Sequence, residues 1–374
     1  MVHRFDEIAI NSTAKKKPEE SDRFCYIGLE HIEPGTFEIS HWGADAAPVG
    51  EKLIMRKGDI LFGKRRAYQR KVAIAPFDGI FSAHGMVLRP KEEVICKEYF
   101  PFFLSSDQFM DTAIRISVGG LSPTINWKDL QQQGFDLPSL EEQRRLADKL
   151  WAAYELKEAY KKMIAATDEM VKAQFIEMFF HDDIMLQKLH EHINITRGVS
   201  YKPDDVIQSI DSNASIILSA NNIDCGDINY EDLAYVKSYR VSDEQLLSPG
   251  DIVMCASNGS KNLVGKAAIL HFLPNIRTSF GAFCLGIRCK STILPEYLST
   301  YFQTSLYRDK IESLGAGSNI INIKPAQIYD LEIPVPPIEN QHVFCNIVNQ
   351  AEKSKSELRQ AIEKIDRVMK SLMQ

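Results

Sequence analysis

The sequence has no apolar run near the ~18 residues that span a bilayer, so a membrane helix is not expected. Its first residues, Met-Val-His-Arg-Phe-Asp-Glu, contain acids and no apolar core, and no signal peptide is expected. The seven cysteines are odd in number and include no Cys-x-x-Cys pair. That pattern argues against a disulfide framework and for reduced thiols in the cytoplasm. Cys284 and Cys289 have a weak metal spacing and read as core thiols. The nine histidines are scattered, and the close pair His190 and His192 reads as ordinary surface. There is no Asn-Pro-Pro-Tyr or Asp-Pro-Pro-Tyr stretch, no Gly-x-x-x-x-Gly-Lys-Ser/Thr loop, and no glycine-rich turn between a strand and a helix. Gly315-Ala316-Gly317 and Val118-Gly119-Gly120 precede serine-containing loops instead. The chain is therefore expected to hold no catalytic residue, no metal and no cofactor of its own.

Proline and glycine are also missing from Glu141 to Phe180, and here the absence is constructive. Steps of four and three from Leu146 give Leu150, Ala153, Lys157, Tyr160, Ile164, Thr167, Val171 and Gln174. The same steps from Phe344 give Val348, Ala351, Lys355, Leu358, Ile362, Ile365, Met369 and Leu372, at a constant offset of 198. This is the spacing of a coiled-coil seam, and each stripe has Ala third and Lys fourth. The alternative is two amphipathic helices on separate cores. The shared Ala and Lys positions favour two copies that pack on each other. A seam lysine costs stability but fixes register; the alternative, slightly favoured, is a stem that snorkels to the seam edge.

The copying extends through the chain. Leu218 to Ile223 matches the stretch ending at Ile32, and Gly226 matches Gly35. Pro249-Gly250-Asp251-Ile252 matches Lys57-Gly58-Asp59-Ile60, and Tyr297 to Tyr307 matches the aromatic helical stretch Glu98 to Thr112. Asn322-Ile323-Lys324 matches Asn126-Trp127-Lys128, and Pro336 to Gln341 matches Pro138 to Gln143. The offset grows from 191 to 198, as small insertions would produce. With 374 residues and ordinary apolar (44%) and charged (25%) content, the chain reads as one strand-rich unit of about 140 residues plus a helix, present twice. Residues 1 to about 24 read as a polar lead-in with a Lys15-Lys16-Lys17-Pro18 loop, and Phe24 to Leu29 as a buried strand.

The ordered duplication resembles the specificity subunit of type I restriction-modification systems. Its carriers are Tyr26-Ile27-Gly28-Leu29-Glu30-His31-Ile32, both Gly-Asp-Ile motifs, the Gly317 to Asn322 stretch and the Pro-x-x-Glu-x-Gln helix starts. The first copy departs in having no counterpart of Arg197-Gly198. The resemblance implies an α+β chain with two repeated α/β target recognition domains, joined by two long helices that form an antiparallel coiled coil with pseudo-twofold symmetry. The expected boundaries are residues 1–140, a helix over 141–180, residues 181–338, and a helix over 339–374. It further implies a non-catalytic subunit that binds double-stranded DNA and two modification (methyltransferase) subunits, and can recruit motor-nuclease restriction subunits. The methyl donor and ATP are then expected on those partners. Two alternatives stay open: a specificity subunit of another multi-subunit or single-enzyme system, and a self-contained DNA-modifying enzyme with an unrecognised site.

The formal net charge is −6, yet Lys52 to Lys71 carries eight bases and one acid, leaving −13 on the remainder. A basic patch on an acidic body favours a polyanion at one surface. The candidate DNA-binding residues of the first copy are Lys64, Arg65, Arg66, Tyr68, Gln69, Arg70 and Lys71. Arg forks onto guanine, Gln pairs with adenine and Lys holds phosphate; the alternative is a solvated charged loop. The matching place in the second copy supplies Ser257, Asn258, Ser260, Lys261 and Asn262, polar but weakly basic. Framework motifs repeat while this stretch diverges, as expected of domains reading different sequences. Ser122, Thr124 and Asn126 are weaker candidates that would otherwise cap a turn.

Overall fold

The computed structural model describes residues 1–181, 185–208, 213–224, 226–314 and 322–374. The chain forms two compact units, Met1–Lys161 with Arg359–Gln374, and Lys162–Leu358. A central helix, Leu140–Phe179, and a C-terminal helix, Ile338–Leu372, each contribute one part to each unit. The fold class is α+β, with two repeated domains of mixed sheet and helix and long helices following them.

In the first unit, strands Ala9–Ser12, Met86–Pro90, Ile60–Phe62 and Val72–Ile74 form one antiparallel sheet in that order. In the second, Ile193–Arg197, Cys284–Cys289, Ile252–Cys255 and Ala267–Ile269 repeat the order and the sense. A parallel pair also repeats: Tyr26–Ile27 with Gly79–Phe81, and Ala214–Leu218 with Thr278–Phe280. The copies then diverge. Lys52–Met55 extends the first pair beside Gly79–Phe81, whereas Ala234–Lys237 extends the second beside Ala214–Leu218, the opposite edge.

Three local readings are corrected by the fold. Residues 1 to 24 are not a polar lead-in: Phe5 and Ile8 are core residues, Val2–Arg4 pairs with Gly134–Asp136, and Lys15–Lys16 pairs with Lys52–Leu53. The Phe24–Leu29 strand shrinks to Tyr26–Ile27, with Phe24 66% exposed, because Glu20–Cys25 winds into a 3-10 helix. The aromatic stretch is two helices, Phe100–Ser105 and Asp107–Arg115, broken where Ser106 Oγ accepts the Phe109 N–H. In the first unit, Ala9–Ser12 stands where Ile193–Arg197 stands in the second, and Thr13-Ala14 follow it in place of a Gly198.

The repeated motifs are fold devices. Gly58 and Gly250 have φ of +87° and +90°, a turn that any Cβ would strain. The turn places Asp59 to accept the Arg56 N–H and a two-pronged guanidinium bond from Arg89, at 2.6 and 2.8 Å. Asp251 accepts from Ser248 N–H and from Arg288 in the same way. The glutamine of each helix start is equally fixed. Gln143, 1% exposed, accepts from Cys96 N–H at 2.7 Å and donates to the carbonyls of Val94 and Pro138 at 3.1 and 3.0 Å. Gln341 does the same with Leu294, Thr292 and Pro336. Each glutamine thus ties a long helix to the domain that precedes it.

Aromatic packing completes that attachment. In the first unit Phe102 meets Trp151, and Phe37 meets Tyr154, with ring centroids 5.0 Å apart in each pair. In the second, Phe175 lies 4.9 Å from Tyr297 and 5.3 Å from Phe344. Such contacts add to the burial of ring area itself. The seam lysines do not snorkel. Lys157 is buried and its ammonium reaches Asp366 at 2.5 Å within the first unit. Lys355 is buried in the second and reaches Asp168 at 2.5 Å and Glu352 at 2.6 Å. Lys157 and Lys355 are one repeat apart, as are Asp168 and Asp366, so each ion pair copies the other. Burial lowers the Lys355 ammonium, but its two carboxylate partners leave it raised overall.

Candidate nucleic-acid interface

Strand Ile60–Phe62 of the first unit runs through Gly63 into the basic loop. Arg65 forms an isolated antiparallel bridge with Thr124, and its N–H donates to the His84 carbonyl at 3.2 Å. Two residues of the loop, Arg66 (φ 56°) and Arg70 (φ 52°), hold a left-handed backbone that non-glycine residues rarely adopt. They bracket the 3-10 turn Ala67–Gln69. Ala67 is buried beneath it, whereas Arg66 and Tyr68 are exposed. Strain of this kind persists where the surroundings fix it and clusters at functional sites.

The side chains divide into two groups. Arg65 Nη2 and Arg66 Nε share Ser122 Oγ at 3.2 and 3.3 Å, and Arg65 Nη1 lies 3.5 Å from His84 Nε2. With Tyr68 they form an open edge. Lys64 and Gln69 are half-buried beside it. Arg70 and Lys71 are also engaged within the fold. Arg70 pairs with Asp107 at 2.7 Å and donates to the Ser105 carbonyl, while Lys71 Nζ donates to the Leu29 carbonyl at 2.6 Å. Thr124 Oγ1 donates to Ser122 O at 3.2 Å, and Asn126 Nδ2 lies 3.4 Å from Asp129 Oδ2. Burial, then Lys15, lowers the Lys64 ammonium. Burial, then Arg65, Lys64 and Lys52, lowers the His84 imidazole, so that ring is neutral at neutral pH. His84 was not singled out in the sequence, and Lys15 and Lys52 were read there only as part of a polar loop and of the basic window; the fold brings all three near the loop.

The second unit repeats this frame around different chemistry. Ser257 bridges Asn322 as Arg65 bridges Thr124, so Asn322 corresponds to Thr124 and not, as expected from the sequence, to Asn126. Its N–H donates to Phe283 O at 3.1 Å, the counterpart of Arg65 to His84. Ile323 N–H donates to Ala256 O at 2.8 Å, as Ile125 N–H does to Lys64 O at 3.0 Å. The two candidate loops thus occupy one position in the repeated fold. Asn258 Oδ1 accepts the Ser260 N–H at 2.8 Å. Ser260, Lys261 and Asn262 are exposed, and the Lys261 carbonyl accepts from Arg308 at 3.3 Å. Ser257 and Asn258 line a cleft of about 730 Å³, with Tyr201, Ser219, Asn221 and Phe283 around it. Residues 317–321 of the Gly317 to Asn322 motif lie outside the described residues.

Among the described residues no cluster of His, Cys, Asp or Glu could hold a metal ion, and no helix is long and apolar enough to cross a membrane. Cys255 and Cys284 face each other across neighbouring strands, and burial pushes their thiols up to about 11 and about 12. Cys289 is half-buried, its thiol pushed up to about 12 for the same reason. His192 is buried and engaged with Thr292 and Gln187, not a surface residue.

The central helix carries a second stripe that the seam reading passed over. Ala152, Leu156, Ala159, Met163, Ala166, Met170 and Ala173 follow the same steps of four and three, and all are exposed. Leu156, Met163 and Met170 are 44%, 53% and 51% exposed. The period of this stripe was present in the sequence, but only the structure separates the seam from the open face.

The family model described as the type I restriction modification DNA specificity domain matches residues 10–165 and 200–366. The EcoKI specificity subunit of Escherichia coli strain K12 is 37% identical over 180 residues, and the StySPI specificity subunit of Salmonella potsdam is 36% identical over 180. These matches take in 48% of this chain and 38% of each relative's length. One chain of a solved structure, described as showing complex assembly and conformational transition of the type I R-M system, superposes with a TM-score of 0.55 at 16% identity. That superposition covers 100% of this chain and 96% of the other, and shows the fold.

Proposed function

Since the chain belongs to the type I restriction modification DNA specificity domain family, we propose that it is the DNA sequence-recognition subunit of a type I restriction-modification complex. Residues 1–140 and 181–338 act as two target recognition domains, and the helices over 141–180 and 339–374 set the gap between the sequences they read. One observation carries this reading. The same bridged loop position holds Arg65 and Arg66 in one unit and Ser257 and Asn258 in the other, on an otherwise repeated frame. Base contacts specify and phosphate contacts position, so two readers of one design should differ at this edge.

The chain contributes recognition and assembly, and catalysis resides on its partners. Two modification subunits supply methyl transfer and its methyl donor. Motor-nuclease restriction subunits supply ATP-driven cleavage, and the complex works in the cytoplasm. The exposed Met163 and Met170 of the second unit support a helical partner on its part of the central helix. Helices of 40 and 35 residues are roughly 60 and 52 Å long at 1.5 Å per residue.

Methyl transfer to DNA by the purified chain, alone and with its modification subunit, tests the reading. Transfer is expected only in the mixture. Arg65→Ala with Arg66→Ala should then weaken DNA binding by about 1–3 kcal/mol for each base contact, or lower the salt slope by about one for each phosphate contact. Methylation by the chain alone, or unchanged binding in the double variant, contradicts it.

A further inference from the structure

The cleft of the second unit is lined by both polar and apolar residues. Two pairs of loops enclose it, each tied through backbone. Val199 N–H donates to Phe280 O at 2.8 Å, and Gly281 N–H to Leu218 O at 2.8 Å. The N–H groups of Ala256 and Ser257 both donate to Phe283 O, at 2.8 and 3.1 Å. None of its described lining residues is charged, in contrast to the arginine edge of the first unit.

Asn221 sits at one wall on a stiff support. Its neighbour Asn222, 2% exposed, accepts the Ser219 N–H at 2.9 Å and donates to the carbonyls of Asn229 and Glu231, each at 3.0 Å. Asn221 is exposed, and its side-chain amide makes no hydrogen bond among the described residues. Both halves of that amide are thus available, as paired recognition of adenine N6 and N7 requires. Asn258 is less suited, since its Oδ1 already accepts from Ser260. At the other wall Phe283 is 71% exposed while the strand beside it is buried. Among the described residues that ring has no aromatic partner, and apolar contact with the thymine methyl suits it. In the first unit the matching positions hold Glu30 and His84, so this pair of groups belongs to the second unit alone.

We infer that this cleft reads one A·T pair in the major groove, with Asn221 on the adenine edge and Phe283 against the thymine methyl. The inference rests on the proposed DNA-recognition function and names what one of its two heads recognises. The test uses the full chain with its modification subunit, on duplexes carrying the mapped target. Within the block assigned to residues 181–338, each thymine is replaced singly by deoxyuridine and each adenine by 7-deazaadenine. At one pair, wild type should lose several-fold affinity for deoxyuridine and roughly 5- to 100-fold for 7-deazaadenine. Phe283→Ala should abolish the first penalty and Asn221→Ala the second, while Phe283→Leu keeps the first. Penalties that persist in both alanine variants, or a block without an A·T pair, overturn the inference while leaving two-headed recognition intact. Absence of any sequence-specific binding would instead overturn the underlying function.

Discussion

Replacing Gln143 by leucine keeps the side-chain volume and deletes three hydrogen bonds in a site only 1% exposed. The Cys96 N–H, which is donated at 2.7 Å, loses its acceptor, and the Val94 and Pro138 carbonyls lose a donor. An unsatisfied buried polar group costs about 1–3 kcal/mol, the amide most, since carbonyls retain a second lone pair for other partners. Leucine returns some of this through its apolar surface, giving a net loss of about 2–4 kcal/mol for the first unit. All three tryptophans, Trp42, Trp127 and Trp151, lie in that unit, so tryptophan fluorescence reports it selectively. With a urea slope of about 2–3 kcal/mol/M, the fluorescence midpoint should fall by roughly 1 M. The Cys96 amide should also exchange its hydrogen faster than in wild type. An unmoved midpoint together with unchanged Cys96 exchange would refute the view that this glutamine latches helix to domain.

Lys355→Met puts an apolar chain in the seam and should be neutral or stabilising by up to about 2 kcal/mol in thermal denaturation. Asp168→Ala leaves the same ammonium with Glu352 at 2.6 Å and should cost about 1–3 kcal/mol, so the reverse order of stabilities counts against the seam account. Hydrogen bonds from Lys370 and Arg70 hold the Asp107 carboxyl below the usual aspartate range. Its contribution is therefore complete above the unfolded value of about 3.9 and is lost as pH falls through the lower folded value. The stability gap between wild type and Asp107→Asn should close on acidification, and a gap constant from pH 6 to pH 2 would contradict this. Cys255 and Cys284, with thiols pushed up to about 11 and about 12, should resist alkylation at pH 8 until unfolding. Mass-spectrometric mapping of labelled cysteines checks this.

The sequence made the duplication legible because its framework rests on residues with one permitted role. Gly58 and Gly250 need a positive φ, Asp59 and Asp251 hold an arginine, and Gln143 and Gln341 span two backbones. Such positions repeat in order even when little else does. The seam lysines were visible, but their partners were not, since Asp366 and Asp168 lie about two hundred residues away. Periodicity could not locate Phe5 in the core, because the helix Phe5–Ile8 that buries it with Ile8 has only four residues, too few to show a period. At the candidate edge, the charge run marked Lys64 to Lys71 but could not tell Arg66, which is exposed, from Arg70, which is bound to Asp107. Asn221 was read only as part of a repeated framework stretch, and Phe283 carried no sequence signal. Their meaning comes from strands that bring residues some sixty apart to one cleft.

The most direct test is a map of methylated positions in cells with the gene, without it, and with residues 1–140 exchanged for those of a relative. Two specific blocks flanking an unread gap of fixed length are predicted, present only with the gene, and the exchange should alter one block alone. A four-residue insertion after Gln174, about one helical turn, should change the gap and leave both blocks intact. A single continuous recognition sequence, or an exchange that alters both blocks, would contradict the two-headed account.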